Sequence, residues 1–170
     1  MIRCLERGAA ELAVVAYQRA EPRNPYMEYE DLFDMQLMLL TATDHPLTRK
    51  RHVTAADLVR FPLIRSPKGS YSRDALDRIL LRANLQDQVH AVMENNTADV
   101  IRKYVAAGTG IALQYIGGET EPLPGLRQRL FDPTIETIPV GIVVRQGACL
   151  SPPAEAFRAF LRRCFSGNHR

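Results

Sequence analysis

Glu94-Asn95-Asn96-Thr97-Ala98-Asp99-Val100-Ile101-Arg102-Lys103-Tyr104-Val105-Ala106-Ala107-Gly108-Thr109-Gly110-Ile111-Ala112-Leu113-Gln114 is the stretch around which the chain is organised. Thr97 suits a helix N-cap, because its hydroxyl can accept from an amide of the first turn. Val100, Ile101, Tyr104 and Val105 recur at helical spacing and predict one apolar stripe. Gly108 supplies the left-handed residue that ends a helix, and Gly110 a second flexible point. Ile111-Ala112-Leu113 then reads as a short buried strand of the continuous apolar kind common in parallel sheets. The amino end of the helix, at Asn96-Thr97, carries exposed amides and a partial positive charge. Such an end suits an anion without a charged side chain, although an ordinary capped helix feeding a strand has the same pattern.

Outward from this stretch the elements alternate. Toward the amino terminus, Met1 to Arg7 predicts a helix end stopped by Gly8, and Leu12 to Val15 the centre of a strand. Tyr26 to Thr43 reads as extended, with Met35 to Leu40 its buried part, before a turn at Asp44-His45-Pro46-Leu47. Arg49-Lys50-Arg51 reads as a solvated loop tip. Thr54-Ala55-Ala56-Asp57 predicts a short helix opened by a capping box with Asp in the place of Glu. Phe61 to Arg65 is a strand, and Ser66-Pro67-Lys68-Gly69-Ser70-Tyr71-Ser72 a loop of turn formers and hydroxyls. That loop opens a helix carrying Ala75, Leu76, Ile79, Leu80 and Ala83, and Val89 to Met93 is the next strand.

Beyond Gln114 comes a loop with Gly117-Gly118, Pro122 and Pro124, then strands at Leu126 to Phe131 and Ile138 to Arg145. Ser151 caps a last helix with Pro152 and Pro153 in its first turn and Phe157, Phe160, Leu161, Cys164 and Phe165 as its core face. The alternation implies an α/β fold with mainly parallel sheets. Ligands of open α/β sheets sit beyond the carboxyl ends of strands. That is where the hydroxyl-rich helix starts at Ser70-Ser72 and Thr97 would converge.

Composition narrows the functional classes. With 170 residues, 46% of them hydrophobic and 24% charged, the chain has enough material for a real core, in one domain or two small lobes. A net charge of +3 is too small to argue for nucleic-acid binding by itself. Cys4, Cys149 and Cys164 form neither a CxxC nor a disulfide framework, and His45, His52, His90 and His169 lack metal-site spacing. No metal or cofactor is expected. No apolar run reaches a membrane span and no signal peptide opens the sequence, so no membrane partner is expected and the cytoplasm is the expected location. GxSxG, a Gly-rich phosphate loop and a paired-carboxylate motif are all missing, which argues against an enzyme.

The order of the segments resembles the effector-binding domain of LysR-type transcriptional regulators. The resemblance is carried by Leu5 to Val15, Asp44-His45-Pro46-Leu47, Ala56-Asp57-Leu58 with Phe61-Pro62-Leu63-Ile64, Val105 to Leu113, and Leu150-Ser151-Pro152. Thr97-Ala98-Asp99-Val100-Ile101 before Tyr104-Val105 is most similar to the sulfur-assimilation branch of the family. The resemblance implies a type II periplasmic-binding-protein-like fold, with two lobes joined by two crossing strands near 40–43 and 137–140. Lobe I would comprise residues 1–41 and 140–170, and lobe II residues 42–139. A small-molecule effector, anionic by family habit, is implied in the cleft between the lobes. Its lobe II contacts map onto Ser66, Gly69 and Ser70 and onto Asn96 and Thr97.

Against the family pattern, the winged helix-turn-helix, its linker helix and the start of lobe I do not precede these segments. DNA is therefore expected as a partner only through such an N-terminal domain, and lobe I is expected to be incomplete. Leu12-Ala13-Val14-Val15-Ala16 would be left as an uncharged strand edge, which predicts a homo-oligomer sealed there or a partly disordered lobe I. A solute-binding protein of the same fold is the alternative, and an export signal ahead of these residues would favour it.

Overall fold

A computed structural model describes residues 2–117 and 122–165; Met1, Gly118 and His169 lie outside them. The described elements run α1 (Ile2–Glu6), β1 (Leu12–Ala16), β2 (Met27–Ala42), α2 (Ala55–Leu58), β3 (Leu63–Arg65), α3 (Tyr71–Arg82), β4 (Ala91–Glu94), α4 (Ala98–Ala106), β5 (Ala112–Ile116), β6 (Leu126–Leu130), β7 (Ile138–Arg145) and α5 (Pro152–Phe165). Two compact units emerge. One is drawn from residues 2–35, Gly117 and residues 137–165, and the other from Gln36–Ile116 and residues 122–136.

In the first unit, the opening half of β2 pairs antiparallel with β7, from Met27↔Arg145 to Met35↔Ile138, and β7 pairs antiparallel with β1. The register slips between Asp31 and Phe33. Gly141, opposite Asp31, is held by close approach, since a Cβ there would stand 2.4 Å from the Glu30 carbonyl oxygen. Leu5, Ala13, Met27 and Val143 form one cluster and Leu32, Ile142 and Val144 another. The helix α5 rests on the second cluster through Leu161 and Phe165, with the Phe165 ring 4.7 Å from that of Phe33. The Glu30 carboxylate accepts from Arg158 and Arg162, and both guanidinium groups hold it ionised below the ordinary carboxylate range. The expected core face of this helix is therefore narrower than the spacing predicts. Phe157 and Phe160 are 47% and 51% exposed and Cys164 is exposed, because the arginine pair and Leu161 fix which side meets the sheet.

In the second unit, the closing half of β2 pairs antiparallel with β5 along one edge and with β6 along the other, Leu39 facing both Leu113 and Arg129. The strands β3 and β4 are parallel, and Ile111 joins Leu63 through a parallel bridge. Helices cover both faces. Ala75, Leu76 and Leu80 of α3 pack with Leu37, Leu39, Leu63, Ile111 and Leu113, and Ile101 and Val105 of α4 with Leu40, Ile64 and Ala112. This two-sided cover explains why Ile111-Ala112-Leu113 is apolar without a break, as buried strands require.

The expectation of mainly parallel sheets is not met. Among the described residues only β3–β4 and the Leu63–Ile111 bridge are parallel, because the long β2 meets each of its partners head to tail.

Candidate functional site

The parallel pair β3–β4 sets the candidate site. Arg65 and Glu94 are its last register partners, and the Asn95 amide donates to the Arg65 carbonyl at 3.0 Å. The loops that leave these strands, Ser66 to Ser70 and Asn95 to Thr97, therefore start side by side at one carboxyl edge. Each feeds the amino end of a helix.

The first loop is tightly built. Ser70 is an extended N-cap whose Oγ accepts from the Arg73 amide at 3.3 Å and donates to the Pro67 carbonyl at 2.7 Å. Gly69 has φ +80° with open space where a Cβ would go, so the turn conformation, not crowding, calls for glycine. Ser72, in the first turn of α3, uses its Oγ to accept from the Tyr115 amide at 2.9 Å. Lys68 projects into solvent from the loop.

The second loop departs from expectation. Thr97 occupies the N-cap position of α4, but its hydroxyl makes no capping bond. It donates instead to the Asn96 Oδ1 at 3.2 Å, while the Asn95 Oδ1 accepts from the Thr97 amide at 2.8 Å. Asn95 thus takes the local turn-closing role that Asn and Asp side chains often fill, and it turns Thr97 outward. Asn96 and Thr97 are exposed. The apolar stripe of α4 narrows to Ile101 and Val105, four apart, with Tyr104 47% exposed on its flank. At the far end Gly108, at φ +78°, donates to the Val105 carbonyl, and the Thr109 amide to that of Tyr104, closing the helix as read from the sequence. Gly110 is not a flexible point: a Cβ there would meet the Pro62 carbonyl oxygen at 2.5 Å.

Two buried polar residues escaped the sequence reading. Arg73, only 6% exposed, sends Nε to both Asp77 carboxylate oxygens at 2.9 Å and Nη1 to Glu94 at 3.0 Å. A buried cation does stand behind the first loop, but its charge is already balanced by two carboxylates. The i, i+4 spacing of Arg73 and Asp77 was visible in the sequence; the Glu94 partner was not. Gln114 is 5% exposed on the β5 face shared with Ala112, and its Oε1 has no hydrogen-bond partner among the described residues, an unusual state for a buried acceptor.

The chemistry on offer is recognition. Two loops that carry serine and threonine hydroxyls and feed two helix amino ends start from a shared edge, and each first turn also carries an acid, Asp74 or Asp99, that tempers the positive end. Among the described residues no group of three or more His, Cys, Asp or Glu side chains is placed to hold a metal ion, and the three cysteines are free. No helix among them is long and apolar enough to cross a membrane.

Comparison with known proteins agrees with this architecture. Residues 1–166 match the LysR substrate binding domain. The chain is 28% identical over 168 residues to the uncharacterized HTH-type transcriptional regulator YybE of Bacillus subtilis, covering 95% of this chain and 53% of that protein. The crystal structure of the cofactor-binding domain of the Cbl transcriptional regulator superposes with a TM-score of 0.70 at 27% identity, covering 98% of this chain and 70% of that one. The effector binding domain of QuiR in complex with shikimate gives 0.72 at 18% identity, covering 98% and 77%. The chain spans about half the length of the curated relatives it matches. It belongs to the LysR substrate-binding domain family, a family of transcriptional regulators and not of enzymes.

Proposed function

We propose that this chain is the effector-sensing part of a cytoplasmic LysR-type regulator, and that a small anionic metabolite binds at Ser66, Gly69 and Ser70 together with Asn96 and Thr97. The observation that carries the reading is the parallel register Arg65↔Glu94, which starts both loops at one strand edge. The hydroxyls and amides there suit a carboxylate or oxyanion, the class to which the shikimate held by QuiR belongs. The division into lobe I, residues 1–41 and 140–170, and lobe II, residues 42–139, is supported by the two compact units, although their breaks fall a few residues earlier, after Met35 and after Glu136. Effector binding would control a helix-turn-helix domain of the kind named in the relatives, and DNA is reached only through it. Binding alters that control only in so far as the effector prefers one arrangement of the protein over another. The uncharged strand β1, at the end of its sheet, supports a homo-oligomer.

Calorimetric titration with shikimate and with sulfate tests the site. Thr97→Ala removes one hydroxyl donor to the anion and is expected to weaken binding roughly 2- to 10-fold. Unchanged affinity in that variant would remove Thr97, and with it the α4 half of the site, from the proposal.

A further inference from the structure

We propose that the groove on the α3 side of the second unit is a separate binding site for a small carboxylate with a ring-sized apolar body. The groove encloses about 620 Å³, within the roughly 300–1,000 Å³ of ordinary small-molecule sites. None of the five residues assigned to the effector lines it. Its apolar surface comes from Ile79, Phe131 and Ile135, each partly buried against the α3-side core, with the Tyr115 ring beside them.

Charge decides the class of ligand. Arg78 and Arg82 stand one turn apart on α3 along one wall, exposed and in no ion pair among the described residues. Like charges at this spacing repel each other. Arg82 is compensated by its place in the last turn, near the negative helix end, and Arg78 only by Asp74 one turn earlier, with which it forms no ion pair among the described residues. A carboxylate seated between them removes the repulsion and gives each guanidinium an oriented acceptor.

The opposite wall is acidic but unevenly available. The Asp132 carboxylate is occupied, accepting from the Thr134 amide at 2.8 Å and hydroxyl at 2.7 Å, which holds it below the usual carboxylate range. The Glu136 side chain is exposed, and its backbone carbonyl accepts from the Tyr115 hydroxyl at 3.0 Å. A ligand carboxylate therefore points to α3, its ring lies over Ile79 and Phe131, and a hydroxyl or ammonium at its far end meets Glu136.

Methyl and aromatic NMR of the chain, titrated with 4-hydroxyphenylacetate, tests this. The expected result is shifts centred on Ile79, Ile135 and Tyr115. R78E/R82E and, on the unaltered chain, 4-hydroxyphenylacetamide should each bind roughly tenfold more weakly or worse. Both arginines are exposed, so the variant should fold; the amide comparison stands whether or not it does. Absence of those shifts at several millimolar ligand, equal binding of the amide, or the same shifts produced by sulfate would overturn the proposal.

Discussion

Arg73 Nη1 lies 3.0 Å from the Glu94 carboxylate, fastening the first turn of α3 to the last residue of β4. The pair is asymmetric. Arg73 is buried and Glu94 half-exposed, so the guanidinium depends on its acids more than they depend on it. Arg73→Met keeps most of the volume but abandons the charge-assisted bonds to Asp77, Glu94 and the Ser66 carbonyl, and should lower unfolding stability by about 1–3 kcal/mol. Glu94→Gln, which leaves Asp77 in place, should cost less. Urea unfolding of both variants checks the order, and a reversed order would show that Arg73 is held chiefly by packing.

The two proposed effector loops differ in what their hydroxyls do for folding. Ser70 caps α3 with its side chain; Thr97 does not cap α4. Ser70→Ala should therefore lose about 1 kcal/mol, the usual cost of a side-chain cap. Thr97→Ala should leave stability nearly unchanged while weakening anion binding. Thermal melts of the two variants read the contrast directly, and equal losses would mean that Thr97 caps the helix in solution.

How much was legible in the sequence follows from how local each signal is. The capping box of α2 is formed, with the Asp57 carboxylate accepting from the Thr54 amide at 3.0 Å. Gly108 and the span of β7 were equally readable, since turn geometry and alternation live within a few residues. Pairing direction was not legible: a strand covered on both faces is apolar throughout whether its neighbours run parallel or antiparallel. Exposure of Phe157, Phe160 and Tyr104 was hidden for a related reason. Helical spacing names a stripe, but only the partner surface fixes its width. The role of Thr97 was misread because Asn95, two residues earlier, competes for the same turn.

His45 supplies a pH-dependent element. Its Nδ1 accepts from the Leu47 amide at 3.2 Å, capping a 3₁₀ turn at Pro46–Arg49, and its ring lies edge-on to Phe61. Burial pushes its pKa below the ordinary histidine value, an effect only partly opposed by Asp44. The folded state thus binds fewer protons than the unfolded one below about pH 6.5, and stability must fall as pH drops through that window toward the folded pKa. His45→Asn keeps an acceptor for the cap without titrating. The stability of wild type relative to the variant, read from melts across this window, should decline as pH falls. Parallel curves would assign the whole pH dependence to the carboxylates.

Gly108 and Gly110, two residues apart, should answer substitution in different ways. Gly108 needs its positive φ and has open space around the missing Cβ. Ala there should cost roughly 1–2 kcal/mol, the penalty of the left-handed conformation, and Asn, which enters that region more readily, should recover part of it. Gly110 has no positive φ. Its demand is spatial, because the Pro62 carbonyl that would lie 2.5 Å from a Cβ also accepts from the Ile111 amide at 2.9 Å. Any side chain at Gly110 must pry this backbone contact apart, loosening the bridge that joins β3 to the start of β5. Ala and Asn should both be costly at Gly110, by about 1–3 kcal/mol. Urea midpoints of the four variants are the measurement. Recovery by Asn at Gly110 would show that conformation, not the approach of Pro62, is what this position requires.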